Sequence, residues 1–124
     1  MQETTYSRWL ISDMYYPSES IEGPIKSHEA ICVLNTNDQD AGLTITLYFG
    51  HCEPMQLAPQ RCPARRNVHI RMDEARTADG SGVPMDTPYA AVVESTQPVA
   101  VQYSRADARQ RALGIMTTIA QPMG

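Results

Sequence analysis

The sequence predicts an all-β domain, a two-sheet antiparallel β-sandwich of jelly-roll-like architecture with little helix. Apolar residues recur at every second position in several short runs, which is typical of strands with one buried face. Eight of the nine prolines lie between those runs, where a missing N–H does not disturb strand pairing. The chain has 124 residues and no linker or repeat, so it is expected to form one domain over residues 1–124.

The first two predicted strands after the amino-terminal segment are residues 30–34 and 43–49. In residues 43–49, leucine, isoleucine and phenylalanine alternate with threonine and tyrosine, so one face is expected to be buried. Residues 30–34 are a more continuous apolar run. The polar segment 35–40 supplies side chains that bond their own backbone in turns. Together these segments predict a hairpin.

A third strand presents a polar stripe opposite its core-facing residues. Val68, Ile70 and Met72 alternate there with three polar residues, Asn67, His69 and Arg71. Further strands are predicted at residues 7–12, 89–94, 99–103 and 114–120. Residues 105–113 are expected to form a turn or one short helix, and residues 73–86 a long exposed loop.

Composition excludes several classes of function. The net charge of −4 disfavours a dedicated nucleic-acid binder, which needs a concentrated basic surface. No apolar run approaches the roughly 20 residues of a transmembrane helix, and the first residues lack the features of a signal peptide, so a cytoplasmic protein is expected. The three cysteines have no CxxC spacing, and catalytic motifs are missing. We therefore expect a non-enzyme without metal or cofactor.

The polar stripe is the first candidate binding site. Arg65 and Arg66 are consecutive, so at most one of them faces a given pocket. Arg65, Asn67 and His69 are predicted to lie in line, with Arg71 beyond. Such a stripe would suit hydroxyl-rich or anionic ligands, because guanidinium and amide groups offer paired hydrogen bonds. The alternative is an ordinary solvated face or an oligomer contact.

Three residues elsewhere are further candidates for ligand contact. Trp9 offers either an apolar platform for a ring or a core side chain. Gln102 alternates against apolar neighbours and is therefore expected to leave the core face. Arg105 is close enough in sequence to Asp107 for the two to brace one another, which is the alternative to a ligand contact.

The start of the second strand supplies the remaining candidates. His28 and Glu29 are adjacent and cannot both face inward, so one is expected to line a site while the other caps the strand or pairs with an arginine. Asn35 is a candidate ligand contact or a turn residue.

Several short motifs follow one another along the chain. They are Ser27-His28-Glu29, Cys32-Val33-Leu34-Asn35, Asp38 to Ala41, Ile45 to Phe49, Pro63-Ala64-Arg65-Arg66, His69-Ile70-Arg71, Pro84-Met85-Asp86-Thr87, Tyr89-Ala90, Pro98-Val99-Ala100-Val101-Gln102, Arg105-Ala106-Asp107 and Arg109-Gln110. Together these motifs resemble the Anabaena sensory rhodopsin transducer family. Their order and spacing extend from about Trp9 to Ala120, so the resemblance covers nearly the whole chain. Residues 14–25 and 75–83 depart from it.

This resemblance implies a soluble cytosolic β-sandwich that assembles as a homotetramer. It implies one of two roles. The first is a binding module for a small sugar-like or anionic metabolite. The second is a signalling adaptor that docks on the cytoplasmic face of a sensory rhodopsin, a membrane photoreceptor, or on another protein. DNA binding is a further role that the resemblance implies.

Overall fold

The computed structural model describes residues 5–123, and all of their regular structure is β-strand. The predicted all-β class is therefore confirmed. No helix long and apolar enough to cross a membrane occurs in this part of the chain. The described residues form nine strands: β1 (Tyr6–Tyr15), β2 (His28–Asn35), β3 (Ala41–Tyr48), β4 (Met55–Gln56), β5 (Gln60–Cys62), β6 (Arg66–Arg71), β7 (Pro88–Asp107), β8 (Gly114–Ile119) and β9 (Gln121–Met123).

The strands form two antiparallel groups that share β7. The first group has the order β4-β3-β7-β1-β9, and β5 also pairs with β3. In the second group β7 pairs with β2 and β8, while β6 pairs with the other edge of β2. The buried side chains of both groups belong to one hydrophobic core, which includes Trp9, Ile45 and Leu47 of the first group and Ile31 and Tyr103 of the second.

The long strand β7 replaces two predicted strands, residues 89–94 and 99–103. Ser95 is paired with the first group and Ala100 with the second, so the chain passes between the groups without ending the strand. Pro98 lies in this passage at a position without a ladder partner, and its missing N–H therefore costs no pairing. Its carbonyl accepts a hydrogen bond from Nδ2 of Asn37 at 2.7 Å.

The predicted hairpin of β2 and β3 is wrong. β2 pairs with β6 and β7, whereas β3 pairs with β4, β5 and β7. The buried Asn35 explains why the connection is nevertheless compact. Its Oδ1 accepts the backbone N–H of Asn37 at 3.0 Å, and its Nδ2 donates to the carbonyl of Gln39 at 2.9 Å. The sequence therefore predicts the turn itself, in which a polar side chain bonds the backbone. The turn connects the two strand groups rather than two neighbouring strands.

The two connecting segments agree with the predictions in part. Of the two alternatives for residues 105–113, a turn or one short helix, the structure has the turn: β7 continues to Asp107, and bends then lead into β8. Residues 73–86 contain no named strand, but they bury Ala75 and Val83, and two isolated bridges, Leu57 with Thr77 and Arg76 with Gly82, fix their course. The segment is therefore partly packed rather than a wholly exposed loop.

The alternation in β3 gives a direct test of the core. Leu47 is fully buried, whereas Thr44 on the opposite face is half-buried. Leu47→Ala is expected to lower the free energy of unfolding by about 2–5 kcal/mol, because it removes buried methyl groups and leaves a cavity. Thr44→Ala, the matched control, is expected to change it by less than about 1 kcal/mol. Urea unfolding measures both values, and equal losses would contradict the assigned faces.

Candidate functional site

Strands β6, β2, β7 and β8 have one face turned away from the core, which we call the outer face. On this face Cys32 of β2 lies opposite His69 of β6 on one side and opposite Gln102 of β7 on the other. Leu34 lies opposite Asn67. Residues directly opposite in an antiparallel pair project to the same side. The three polar side chains therefore surround the middle of β2.

A cavity of about 490 Å³ opens on the outer face. Four of the residues proposed from the sequence line it: Trp9, Asn67, His69 and Gln102. The other lining residues are Cys32, Val33, Leu34, Ala100, Val101 and Ile119. The cavity thus has apolar walls and three polar side chains, and within residues 5–123 its lining includes no aspartate, glutamate, lysine or arginine.

The three polar side chains of the cavity are available to a ligand. Asn67, His69 and Gln102 are exposed. Within residues 5–123 none of their side chains forms a hydrogen bond to another part of the protein. Amides supply both donors and an acceptor, and a neutral imidazole supplies one of each. The site can therefore recognise hydrogen-bonding groups without a salt bridge.

Trp9 lines the cavity as part of the core rather than as an exposed platform. Its side chain is almost completely buried. The indole Nε1–H donates to the carbonyls of Tyr6 at 3.0 Å and Val99 at 2.9 Å. These bonds fix the ring between β1 and β7, so only a limited part of it can contact a ligand.

Glu29 lies on the other side of β2, inside the protein, and is fully buried. The Tyr89 hydroxyl donates to its Oε1 at 2.7 Å, and the Tyr103 hydroxyl donates to its Oε2. The backbone N–H of Tyr15 also donates to Oε2, at 2.7 Å. Arg105 donates from Nε and Nη2 at 3.4 Å. A buried carboxylate requires such partners, because an unpaired buried charge is very costly.

The surroundings of Glu29 also keep both tyrosines protonated. Burial raises the pKa of Tyr89, and the negative charge of Glu29 raises it further. Burial likewise raises the pKa of Tyr103, and the hydrogen bond to Glu29 adds to the effect. The hydroxyls of both tyrosines consequently remain donors to the carboxylate at physiological pH.

The predicted brace between Arg105 and Asp107 is wrong. Arg105 lies directly opposite Glu29 on the inner face, and its Nε donates to the Tyr103 hydroxyl at 2.9 Å. Asp107 instead accepts from Nη2 of Arg109 at 2.6 Å. The buried Glu29 determines this choice, since it needs a cation more than the partly solvated Asp107 does. Arg105 therefore lies away from the outer-face cavity.

Arg65 does not lie in line with Asn67 and His69, contrary to the prediction. It occupies the turn before β6 with a φ of 57°, and this left-handed conformation interrupts the alternation of the strand. Its guanidinium lies 3.6 Å from the carboxylate of Asp38, and both side chains are largely exposed. Arg71, at the other end of the stripe, forms two 2.8 Å hydrogen bonds to Asp73. Neither arginine lines the cavity.

His28 and Asn35, at the two ends of β2, are also outside the cavity lining. His28 and Glu29 face opposite sides, as expected, and Nδ1 of His28 lies 2.8 Å from the carbonyl of Lys26. The side chain of Asn35 is fully buried and is occupied by turn contacts, including a 3.1 Å bond from Nδ2 to the carbonyl of Cys62. Both side chains have structural partners.

Sequence reasoning missed Cys32 as a cavity residue. Residues 30–34 are a continuous apolar run in the sequence, yet Ile31 and Val33 are buried while Cys32 is half-buried and Leu34 is exposed. Because all five residues are apolar, the sequence has no alternation that would place Cys32 on the outer face. The other cysteines are elsewhere: Cys52 is exposed and Cys62 is buried, and all three are free thiols. Among residues 5–123 no group of three or more His, Cys, Asp or Glu side chains is placed to hold a metal ion.

Comparison with known proteins identifies the family to which the chain belongs. The family model described as Anabaena sensory rhodopsin transducer matches residues 4–122. The chain is similar to a crystal structure of Thermotoga maritima 1070, with a TM-score of 0.83, 30% identity and coverage of 98% of this chain and 97% of that one. It is also similar to the Anabaena sensory rhodopsin transducer, with a TM-score of 0.69, 36% identity and coverage of 79% and 95%. Curated proteins gave no match.

The antiparallel all-β fold and these similarities define a transducer-type β domain. More particularly, the chain belongs to the Anabaena sensory rhodopsin transducer family.

The cluster around Glu29 predicts a large effect of one conservative change. Glu29→Gln removes the negative charge that pairs with Arg105. It also replaces one carboxylate oxygen by an NH₂ group, which cannot accept a hydrogen bond from a tyrosine hydroxyl. We expect a loss of about 3 kcal/mol in the free energy of unfolding. Glu94→Gln, at an exposed carboxylate of β7, is the control and is expected to change it by less than about 0.5 kcal/mol. Urea unfolding at pH 7 compares the two; similar small losses would contradict the assigned role of Glu29.

Proposed function

We propose that this sensory rhodopsin transducer-like protein is non-catalytic and cytoplasmic and that it binds a small molecule in the outer-face cavity. The observation that carries the proposal is the convergence of Asn67, His69 and Gln102, three side chains without partners in the described structure, on a 490 Å³ cavity. Binding sites typically combine apolar walls with a few polar groups that fix orientation.

The described residues of the lining carry no charged side chain, and this limits the class of ligand. The sequence-based hypothesis of an anionic metabolite depended on Arg65, and Arg65 is paired with Asp38 outside the cavity. An anion placed in the cavity would lose hydration without gaining a cationic partner from the lining. The proposal therefore favours an uncharged ligand, and a sugar-like ligand remains within it.

A thermal-shift screen tests the proposal. A panel of monosaccharides, sugar acids, sugar phosphates and nucleobases is added to the wild-type chain. A ligand at about 100 times its Kd adds about 2.7 kcal/mol to stability and raises the Tm by several degrees. We expect that His69→Ala and Gln102→Ala lose such a shift. Arg65→Ala, the matched exposed control outside the cavity, is expected to keep it.

A panel without any shift would contradict small-molecule binding and favour the second candidate, a signalling adaptor. The similarity to the Anabaena sensory rhodopsin transducer is the observation that favours that role. In this case a sensory rhodopsin in the membrane, or another protein, would be the partner. Retention of the purified chain on rhodopsin-containing nanodiscs, compared with empty nanodiscs, would then measure docking directly.

Assembly as a homotetramer is also part of the proposal. All six residues of β8 are exposed, and this strand pairs only with β7 among the described strands. Ile115 is 73% exposed and Met116 43% exposed, so the strand presents apolar side chains to solvent. Apolar side chains on an unpaired strand edge are a common basis for association between chains.

Light scattering tests the assembly. The wild-type mass is expected to be four times 13.8 kDa, the mass of one chain. Ile115→Lys is expected to lower the mass because it places a charge in the contact. Ile25→Lys, at an exposed apolar residue outside β8, is expected to leave it unchanged. A wild-type mass of 13.8 kDa would contradict the tetramer.

A further inference from the structure

The pairing register places Cys32 at the base of the outer-face cavity, and we call the space above it the trough. This residue lies between the larger side chains of His69 and Gln102 on the two neighbouring strands. Strands are about 4.8 Å apart, so the backbones that carry these two residues are separated by about 10 Å. A short side chain between two long ones leaves a gap above β2.

Two exposed apolar side chains border the trough, one along β2 and one on β8 beyond Gln102. Leu34 is 47% exposed and stands beyond Cys32 on β2, and Ile119 is 69% exposed and lies opposite Gln102 on β8. Such side chains are favourably covered by the face of a flat ring, because contact removes apolar surface from water. They offer no hydrogen bonds to groups above or below a ring plane.

The polar groups lie at the sides of the trough. Asn67 and His69 stand on β6, and Gln102 stands on β7. Each amide presents a donor and an acceptor side by side, which matches an adjacent N–H and C=O in a ring edge. A pyranose carries hydroxyls around its whole rim, and each one left unpaired against an apolar wall costs about 1–3 kcal/mol. Three polar side chains on two sides of the trough cannot satisfy them all.

Resting on the proposed function, we infer that the outer-face cavity takes an uncharged, planar heterocycle whose edges carry amide-type N–H and C=O groups. The ring lies flat above the thiol of Cys32, between His69 and Gln102. Its lower face covers Cys32 and Leu34 of β2, and its edges point toward the polar side chains of β6 and β7.

Protection of the Cys32 thiol tests the inference. Cys52→Ser removes the exposed cysteine, and Cys62 is buried, so alkylation by iodoacetamide followed by mass spectrometry reports on Cys32. The probes form two matched pairs: uracil with its carboxylate derivative orotate, and glucose with glucuronate. At about ten times its Kd, uracil is expected to slow alkylation about tenfold, because only the unoccupied fraction reacts. Orotate, glucose and glucuronate are expected to leave the rate unchanged.

Three variants in the Cys52→Ser background locate the protection. His69→Ala and Gln102→Ala are expected to abolish protection by uracil, whereas Arg65→Ala is expected to retain it. Protection by glucose, glucuronate or orotate equal to that by uracil would overturn the ligand class and leave the proposed binding function standing. No protection by any of the four compounds, together with no thermal shift from them, would overturn both the ligand class and the proposed site.

Discussion

The buried carboxylate of Glu29 is the interaction on which the rest of the structure depends. It binds the backbone of β1 through Tyr15 and binds β7 at two distant points, Tyr89 and Tyr103. Tyr89 pairs with the first strand group and Tyr103 with the second. A single side chain of β2 therefore joins both groups and both halves of the longest strand. Arg105 supplies the compensating positive charge.

The position of Glu29 also determines the outer face. Because side chains alternate along a strand, placing Glu29, Ile31 and Val33 inside places Cys32 and Leu34 outside. On β7 the same alternation directs Tyr103 inward and Gln102 outward. A register shift of one residue would exchange the faces and bury Gln102. The polar cluster inside and the ligand cavity outside are thus two consequences of one pairing register.

Local patterns predicted the features of the protein that depend on neighbouring residues. The alternation of residues 43–49 and 67–72 identified β3, β6 and their buried faces, and the turn chemistry after Asn35 was evident. Pairing partners were not evident, because a turn sequence does not specify which strand follows in the sheet. The continuity of β7 through Pro98 depends on a gap in the ladder that only the assembled strands reveal.

The sequence predicted part of the candidate site. Asn67, His69 and Gln102 were identified because each alternates with core residues. Arg65 was misplaced because its positive φ ends the alternation, and no sequence rule requires that conformation at an arginine. Arg105 was assigned to its neighbour in sequence, Asp107, while its partner is 76 residues away. The buried negative charge of Glu29, which is distant in the sequence, determines the contact that Arg105 makes.

The most direct test of the account is a map of amide chemical shifts from the ¹⁵N-labelled wild-type chain titrated with uracil. The account predicts that the largest changes occur at Cys32, His69 and Gln102, three residues on adjacent strands, with little change at Arg65 or Arg105. Changes confined to other strands or to the loops at saturating uracil would contradict the claim that the outer face above Cys32 is the binding site.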